Sequence, residues 1–383
     1  LERQATQSFK MNLHLTHEQQ RIVASAEVFL SKASSMSQVR AHIQSTALMD
    51  KSLWSAMSDL GWCGLHLPEE VGGLDLDWVS VCLLQEQMGR RLACVPFFDS
   101  TVLSATALKL SLPQPRAAHC LAQIAQEKAV AAMAFSAQNA VATPTDKGWQ
   151  LEGQWHAVGS AQLADVLILP AHSPSGETLL FALEAHRAGL QIKPQQTLDM
   201  TRCTAQIQAQ GLEVQSEHCL AQGQVAENLL MQIKCLGAIG LAAEQVGVAQ
   251  QCLDMALAYV LERQQFGRPI ASFQAIKHRC AQMLIEVESS RSAVYGAACL
   301  ADTQPELSSL MVSAAQARVA ATEASQFCAR ENLQLHGGVG FTWEYDPHFY
   351  LRRAQASSQR LGSVSEWLER VASHYDSAEL LHA

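Results

Sequence analysis

The sequence predicts an α+β chain in three parts: an N-terminal helical domain (1–128), a middle β-barrel or sandwich domain (129–222) and a C-terminal four-helix bundle (223–383). Three observations predict it. Apolar residues recur at helical spacing up to about residue 128. Short β-type runs separated by turn-forming stretches then take over to about residue 222, and long proline-free helical segments follow. A chain of 383 residues exceeds one ordinary domain, which suits the division.

Taken in order, Leu1 to Lys10 precede Met11 and carry no cleavable apolar core. They read either as an added stretch or as an upstream extension ahead of a start at Met11. Thr16 is followed three residues later by Gln19, a capping-box arrangement, and Ile22, Val23, Ala26, Val28 and Phe29 then recur at helical spacing. Further helices are expected at 51–60, 78–92, 99–110 and 116–127, separated by Gly61, by Gly72-Gly73, and by Pro113 and Pro115. Strand-like runs occupy 130–135, 166–169, 179–182 and 205–209, with turns expected at Thr143-Pro144-Thr145-Asp146-Lys147-Gly148 and Ser173-Pro174-Ser175-Gly176. From 225 to 263 no proline interrupts, which allows one helix of about 50 Å or more. Helices at 273–303 and 306–336 follow, then a terminal helical stretch from near Pro347.

Composition excludes several classes. The chain has 27 Lys+Arg against 36 Asp+Glu, a net charge of −9, so it lacks the basic face of a general nucleic-acid binder. Hydrophobic residues make up 48% and charged residues 16%, enough apolar side chain to offset chain entropy, with a surface poor enough in charge to suggest a covering subunit. No membrane span is expected, and the chain is read as soluble. Eleven cysteines run from Cys63 to Cys328 without a Cys-x-x-Cys pair, so neither a metal site nor a disulfide framework is expected, and a reduced cytoplasm fits best.

Three blocks could carry chemistry. In Gly61-Trp62-Cys63-Gly64-Leu65-His66-Leu67-Pro68-Glu69-Glu70-Val71-Gly72-Gly73, the glycines after a proline and two acids make a tight turn between helices. The second is Arg263-Gln264-Gln265-Phe266-Gly267-Arg268-Pro269-Ile270, followed by Phe273-Gln274. A helix ends there, and Arg263 either serves the helix dipole or offers its planar fork to a phosphate. The third is Gln334-Leu335-His336-Gly337-Gly338-Val339-Gly340-Phe341-Thr342-Trp343-Glu344-Tyr345. Three glycines in four residues allow close approach of backbone N–H groups to an anion, although a helix precedes them and the spacing is not a dinucleotide fingerprint.

In this order and on this outline, the blocks make the chain resemble the acyl-CoA dehydrogenase family of flavoproteins from about Thr16 to about His374. The resemblance implies FAD held between subunits of a dimer or tetramer, an acyl-CoA substrate, and an acceptor such as an electron-transfer flavoprotein. It further implies that Arg263, Gln265, Phe266, Gly267 and Gln274 meet the pyrophosphate and adenosine end of an FAD seated mainly in the neighbouring subunit. Gln334, Gly337 and Gly338 would complete that binding. On the flavin-ring side, Ala134-Phe135-Ser136-Ala137-Gln138-Asn139 lacks the family's acid and glycine, and Ser136 stands either as a flavin contact or as an ordinary strand hydroxyl.

Relatives in this family remove an α-proton with a glutamate while the β-hydrogen leaves as hydride to flavin N5. The two positions where that glutamate occurs fall on Leu361, in Leu361-Gly362, and on Gly237, whose family neighbour arginine is replaced by Ala238. Glu244, seven residues beyond Gly237 on nearly the same helix face and flanked by Leu241, Ala242, Ala243 and Val246, is the candidate base. Its alternative is a structurally paired glutamate, and Glu344 is a weaker candidate. Three functions follow: an acyl-CoA dehydrogenase with its usual base substituted, a non-catalytic subunit completing a related subunit's FAD, or a flavin oxidase or monooxygenase on the same scaffold.

Overall fold

The computed structural model describes residues 15–137 and 139–380, with side chains to residue 375; the expectations for residues 1–11 and for Gln138 lie outside the described residues. The N-terminal part comprises α1 (His17–Ala33), α2 (Met36–Gln44), α3 (Lys51–Asp59) and α4 (Trp78–Arg91). A fully buried π-helical run, Phe98–Ala105, then leads into α5 (Thr106–Leu110), and α6 (Pro115–Gln126) closes this part. The capping box forms as the spacing requires: Gln19 N donates to Thr16 Oγ1 and Thr16 N to Gln19 Oε1.

Eight strands follow: β1 (Ala131–Met133), β2 (Val141–Thr145), β3 (Gly148–Gly159), β4 (Val166–His172), β5 (Thr178–Glu184), β6 (Leu190–Gln195), β7 (Thr204–Gln215) and β8 (Cys219–Gln222). They form one sheet in the order β6-β7-β3-β2-β4-β5-β8, with β1 parallel to β4. The 143–148 stretch, expected as a turn, is instead the end of β2, a two-residue turn and the start of β3. Pro144 is tolerated because β2 pairs with β4 only at Val141, which leaves the rest of the strand an edge. Side chains alternate across β4 and β5. Leu167, Leu169, Phe181 and Leu183 surround the buried Trp155, while Val166, Ile168, Leu180 and Ala182 meet α5, α6 and the following helix.

The bundle consists of α7 (Gly223–Glu262), α8 (Gln274–Ala301), α9 (Leu307–His336), α10 (Pro347–Ser357) and α11 (Val364–Leu380), with a small hairpin of β9 (Gln264–Gln265) and β10 (Arg268–Pro269) after α7. At 40 residues α7 runs about 60 Å. It is the one described helix long and apolar enough to cross a bilayer by length and composition alone. Its apolar residues, however, are spent all round on the core: Leu236, Ile239, Ala243 and Val246 face one cluster and Val248, Cys252 and Leu253 another.

α4 crosses α7 at backbone contact. A Cβ on Gly247 would lie 2.0 Å from Glu86 O, and one on Gly89 would lie 2.1 Å from Glu244 O. The crossing places Glu244 on α7 directly under the N-terminal part. Gly247→Ala forces the two helices apart and is expected to cost about 1–3 kcal/mol, read as a lower midpoint in urea denaturation.

Candidate active site

A cleft of about 770 Å³ opens between the β domain and the bundle. Its walls are the end of β1 with Phe135 and Ser136, the end of β3 with His156 and Val158, the 197–204 loop, Leu103, Lys234 of α7, and the turn after α10 from Gln355 to Gly362. Three segments distant in sequence therefore meet here, each anchored in a different part of the chain.

Buried charge fixes them together. Glu244 is 2% exposed and accepts from Arg353 Nη1 at 3.2 Å, from Gln85 Nε2 at 3.3 Å and from Arg202. Arg353 Nε pairs with Asp199 Oδ2 at 2.7 Å. Asp99 accepts from Ser160 Oγ at 2.6 Å and from Arg360. Arg318, 1% exposed and without a carboxylate partner among the described residues, donates to Gln245 Oε1 (2.7 Å), Ser357 O (2.7 Å) and Arg360 O (3.0 Å), so it holds the turn that carries Leu361 and Gly362. Burial and the like charge of Arg360 pull the Arg318 pKa down to about 10, which still leaves it a cation at neutral pH.

The apolar company expected around Glu244 is corrected by this geometry. Gln85 and two guanidiniums reach its carboxylate, because α10 and the 197–204 loop bring Arg353 and Arg202 across distances in sequence that helix periodicity does not report. Glu344, the weaker candidate, is exposed on the connection before α10.

The two positions that resemblance assigns to a base converge in space. A Cβ built on Gly237 would lie 2.3 Å from Leu103 Cδ2 and 3.1 Å from Leu361 Cδ1. Hydrocarbon fills the spot from both sides, and Ala238 beside it is fully buried. No free carboxylate lines the cleft among the described residues; Asp199, its one acid, is held by Arg353.

Ser136 lies in the cleft wall, but the other expected cofactor residues do not. They gather at the far end of α7, roughly 40 Å along the helix from Lys234. Arg263 ends α7, its N–H donating to Tyr259 O at 2.9 Å. Phe266 (φ 54°) and Gly267 (φ 77°) form the two-residue turn of the β9–β10 hairpin, where both positions need positive φ. Gln265 folds its side-chain amide onto Gln264 O (2.9 Å), and Gln274 is the exposed first residue of α8. The His336 ring stacks on Tyr259 at 4.1 Å, which brings Gln334, Gly337 and Gly338 beside the end of α7. Nothing lies within 4 Å of a Cβ built on Gly267, Gly337 or Gly338, and Arg263 has no side-chain partner among the described residues. An unpaired guanidinium, free amides and open glycine backbone are a donor set that suits a pyrophosphate.

The Acyl-CoA dehydrogenase N-terminal domain family matches residues 16–110, and the Acyl-CoA dehydrogenase C-terminal domain family matches residues 228–371. The acyl-CoA dehydrogenase IpdE2 of Mycobacterium tuberculosis is 31% identical over 357 residues, covering 93% of this chain and 96% of that protein. The chain belongs to the acyl-CoA dehydrogenase family. A solved variant of the Tcur3481-Tcur3483 steroid ACAD aligns with this family member at TM-score 0.85 and 26% identity, over 95% of this chain and 99% of that one. The ChsE4-ChsE5 complex from Mycobacterium tuberculosis shares the fold at TM-score 0.86 and 24% identity, over 96% of this chain and 99% of that one. Its relatives are flavin oxidoreductases, and the α+β outline read from sequence is the family's fold.

Sequence reasoning missed Asp199, Arg202, Arg353 and Arg360, because their meeting depends on the β domain closing on the bundle. Lys234 was within reach: it precedes Gly237 by three residues and so shares its helix face. For Asp199, burial alone would raise the pKa, but Arg353, Arg202 and Thr201 outweigh it and hold the carboxyl below its usual range. Such a group adds stability above its unfolded value of about 3.9, and that stability is lost as pH falls through the lower folded value. Thermal stability should therefore drop steeply below about pH 4, and Asp199→Asn should flatten that acid limb in a melting series. Glu244→Gln leaves two guanidiniums short of charge and should cost about 3–5 kcal/mol in urea denaturation, a loss a solvated glutamate would not show.

Proposed function

We propose that this chain serves FAD-dependent α,β-dehydrogenation of an acyl-CoA thioester as the flavin-completing subunit of a heteromeric acyl-CoA dehydrogenase. The observation that carries the reading is the hydrocarbon over Gly237. Leu103 and Leu361 occupy the place where an α-proton would be received, and the buried acids around the cleft, Asp99, Asp199 and Glu244, are paired with Arg360, Arg353 and Arg202. A weak carbon acid needs a close, unpaired base, and this cleft offers no free carboxylate for that task among its described lining residues.

What the chain retains lies at the other end of α7. Arg263 and Gln274 would hold the pyrophosphate and adenosine end of an FAD whose ring lies in a related subunit's cleft, with Gln265, Phe266 and Gly267 shaping that edge. Gln334, Gly337 and Gly338 would close over the same phosphates through side-chain amide and backbone N–H. Within one protomer this edge lies roughly 40 Å along α7 from Lys234, which lines the same cleft as Ser136, and this separation supports a site whose two halves come from different subunits. Phe266 (91% exposed), Phe341 (71%) and Trp343 (57%) surround the edge as an apolar surface suited to such a neighbour. The flavin supplies the hydride acceptor, the partner the base, and an electron-transfer flavoprotein would reoxidise the complex in the reducing cytoplasm.

Purified alone, the chain should lack the visible flavin band, and it should gain the band on co-expression with a related subunit that carries a glutamate at either base position. Arg263→Ala in the complex removes charge-assisted hydrogen bonds of about 1.5–3 kcal/mol, so flavin should dissociate at ten- to a hundredfold lower dilution. A solitary chain that is yellow and is bleached anaerobically by acyl-CoA would overturn the reading; reduction by NAD(P)H instead would favour an oxidase or monooxygenase.

A further inference from the structure

Around the floor of the cleft the charges pair off. Asp99, Asp199 and Glu244 are matched by Arg360, Arg353 and Arg202. Lys234 stands outside this account. It lines the cleft half-buried, and no carboxylate lies within ion-pair distance of it among the described residues. Its ammonium lies over the ring of the buried Trp367 at 5.8 Å. The acid nearest in sequence to that ring, Glu366, instead accepts from Ser363 Oγ at 3.3 Å, at the start of α11. Burial pulls the Lys234 pKa down, Arg370 adds to this and Glu366 opposes it.

Part of the wall beside Lys234 is apolar. Lys234 sits one turn before Gly237, on the helix face that Leu103 and Leu361 cover, and Met133, Phe135, Val158 and Leu198 line the same cleft. A volume of about 770 Å³ falls within the range of pockets that take small organic ligands. A partly desolvated cation with no carboxylate in ion-pair contact, set beside hydrocarbon, gains most from an anion that brings its own apolar body, because the pair is then formed partly away from water.

We infer that this cleft is a binding site for a carboxylate borne on a hydrocarbon body, with the carboxylate paired to Lys234 Nζ and the body lying against Leu103 and Leu361. The ligand is either a free carboxylic acid or a thioester that carries a second carboxylate. The site does not depend on chemistry occurring in this cleft: a chain without a base can still hold such a ligand.

The test is isothermal titration of the full chain with two matched pairs: octanoate against 1-octanol, and the CoA monothioester of octanedioic acid against octanoyl-CoA. At least a tenfold preference for the carboxylate is expected in one pair, and that pair identifies the source. Lys234→Met and Lys234→Gln should bring the ratio to within twofold while leaving the neutral ligand's affinity unchanged, and Lys234→Arg should keep most of the preference. Equal binding within both pairs, or a preference that survives in both neutral variants, would overturn the assignment. The wild-type ratio alone can defeat it, so the outcome does not hinge on how a variant folds. Flavin retention through Arg263 is read separately by absorbance, so either assignment can fail while the other stands.

Discussion

The structure depends on a buried exchange of charge between parts of the chain that are remote in sequence. Asp199 and Arg202 come from the β domain, Glu244 and Arg353 from the bundle, and Gln85 from the N-terminal helices. Burying ions costs several kcal/mol each unless every one is matched, so these parts can close only in the arrangement that matches them. The cleft is what remains between surfaces held in that single register. Arg318 extends the constraint to the turn after α10 by donating to the carbonyls of Ser357 and Arg360.

That constraint decides what Glu244 can do. A carboxylate on a core helix with small apolar neighbours reads as a proton acceptor as long as only its own helix is considered. Once α10 and the 197–204 loop are in place, the same carboxylate is an anchor. The positions that resemblance marks for a base, Gly237 and Leu361, face each other across a leucine contact. The cleft is thus a cation-bearing space whose described acid is paired.

Much of the fold was legible in the sequence. Long proline-free periodicity predicted α7, α8 and α9, and Thr16 with Gln19 predicted the start of α1 to the residue. The hairpin at 143–148 was not legible as strand, because Pro144 and the turn chemistry around Asp146 conceal an edge strand whose pairing partner lies just beyond the turn. The features at the far end of α7 were visible because they are local: a helix end, a tight turn and open glycine backbone each leave a signature in consecutive residues. The clasp around Glu244 was not, since a pair such as Arg353 with Asp199 has no spacing to read.

The length of α7 has a further consequence. One part of this rod carries Lys234 and Gly237, and its far end carries Arg263, so the cleft and the hairpin edge are mounted on a single stiff element beyond reach of each other. A change at either end is felt locally and leaves its counterpart intact. Duplicated copies of such a chain can therefore specialise by losing opposite ends, each becoming dependent on the other, with no alteration to the scaffold that joins them.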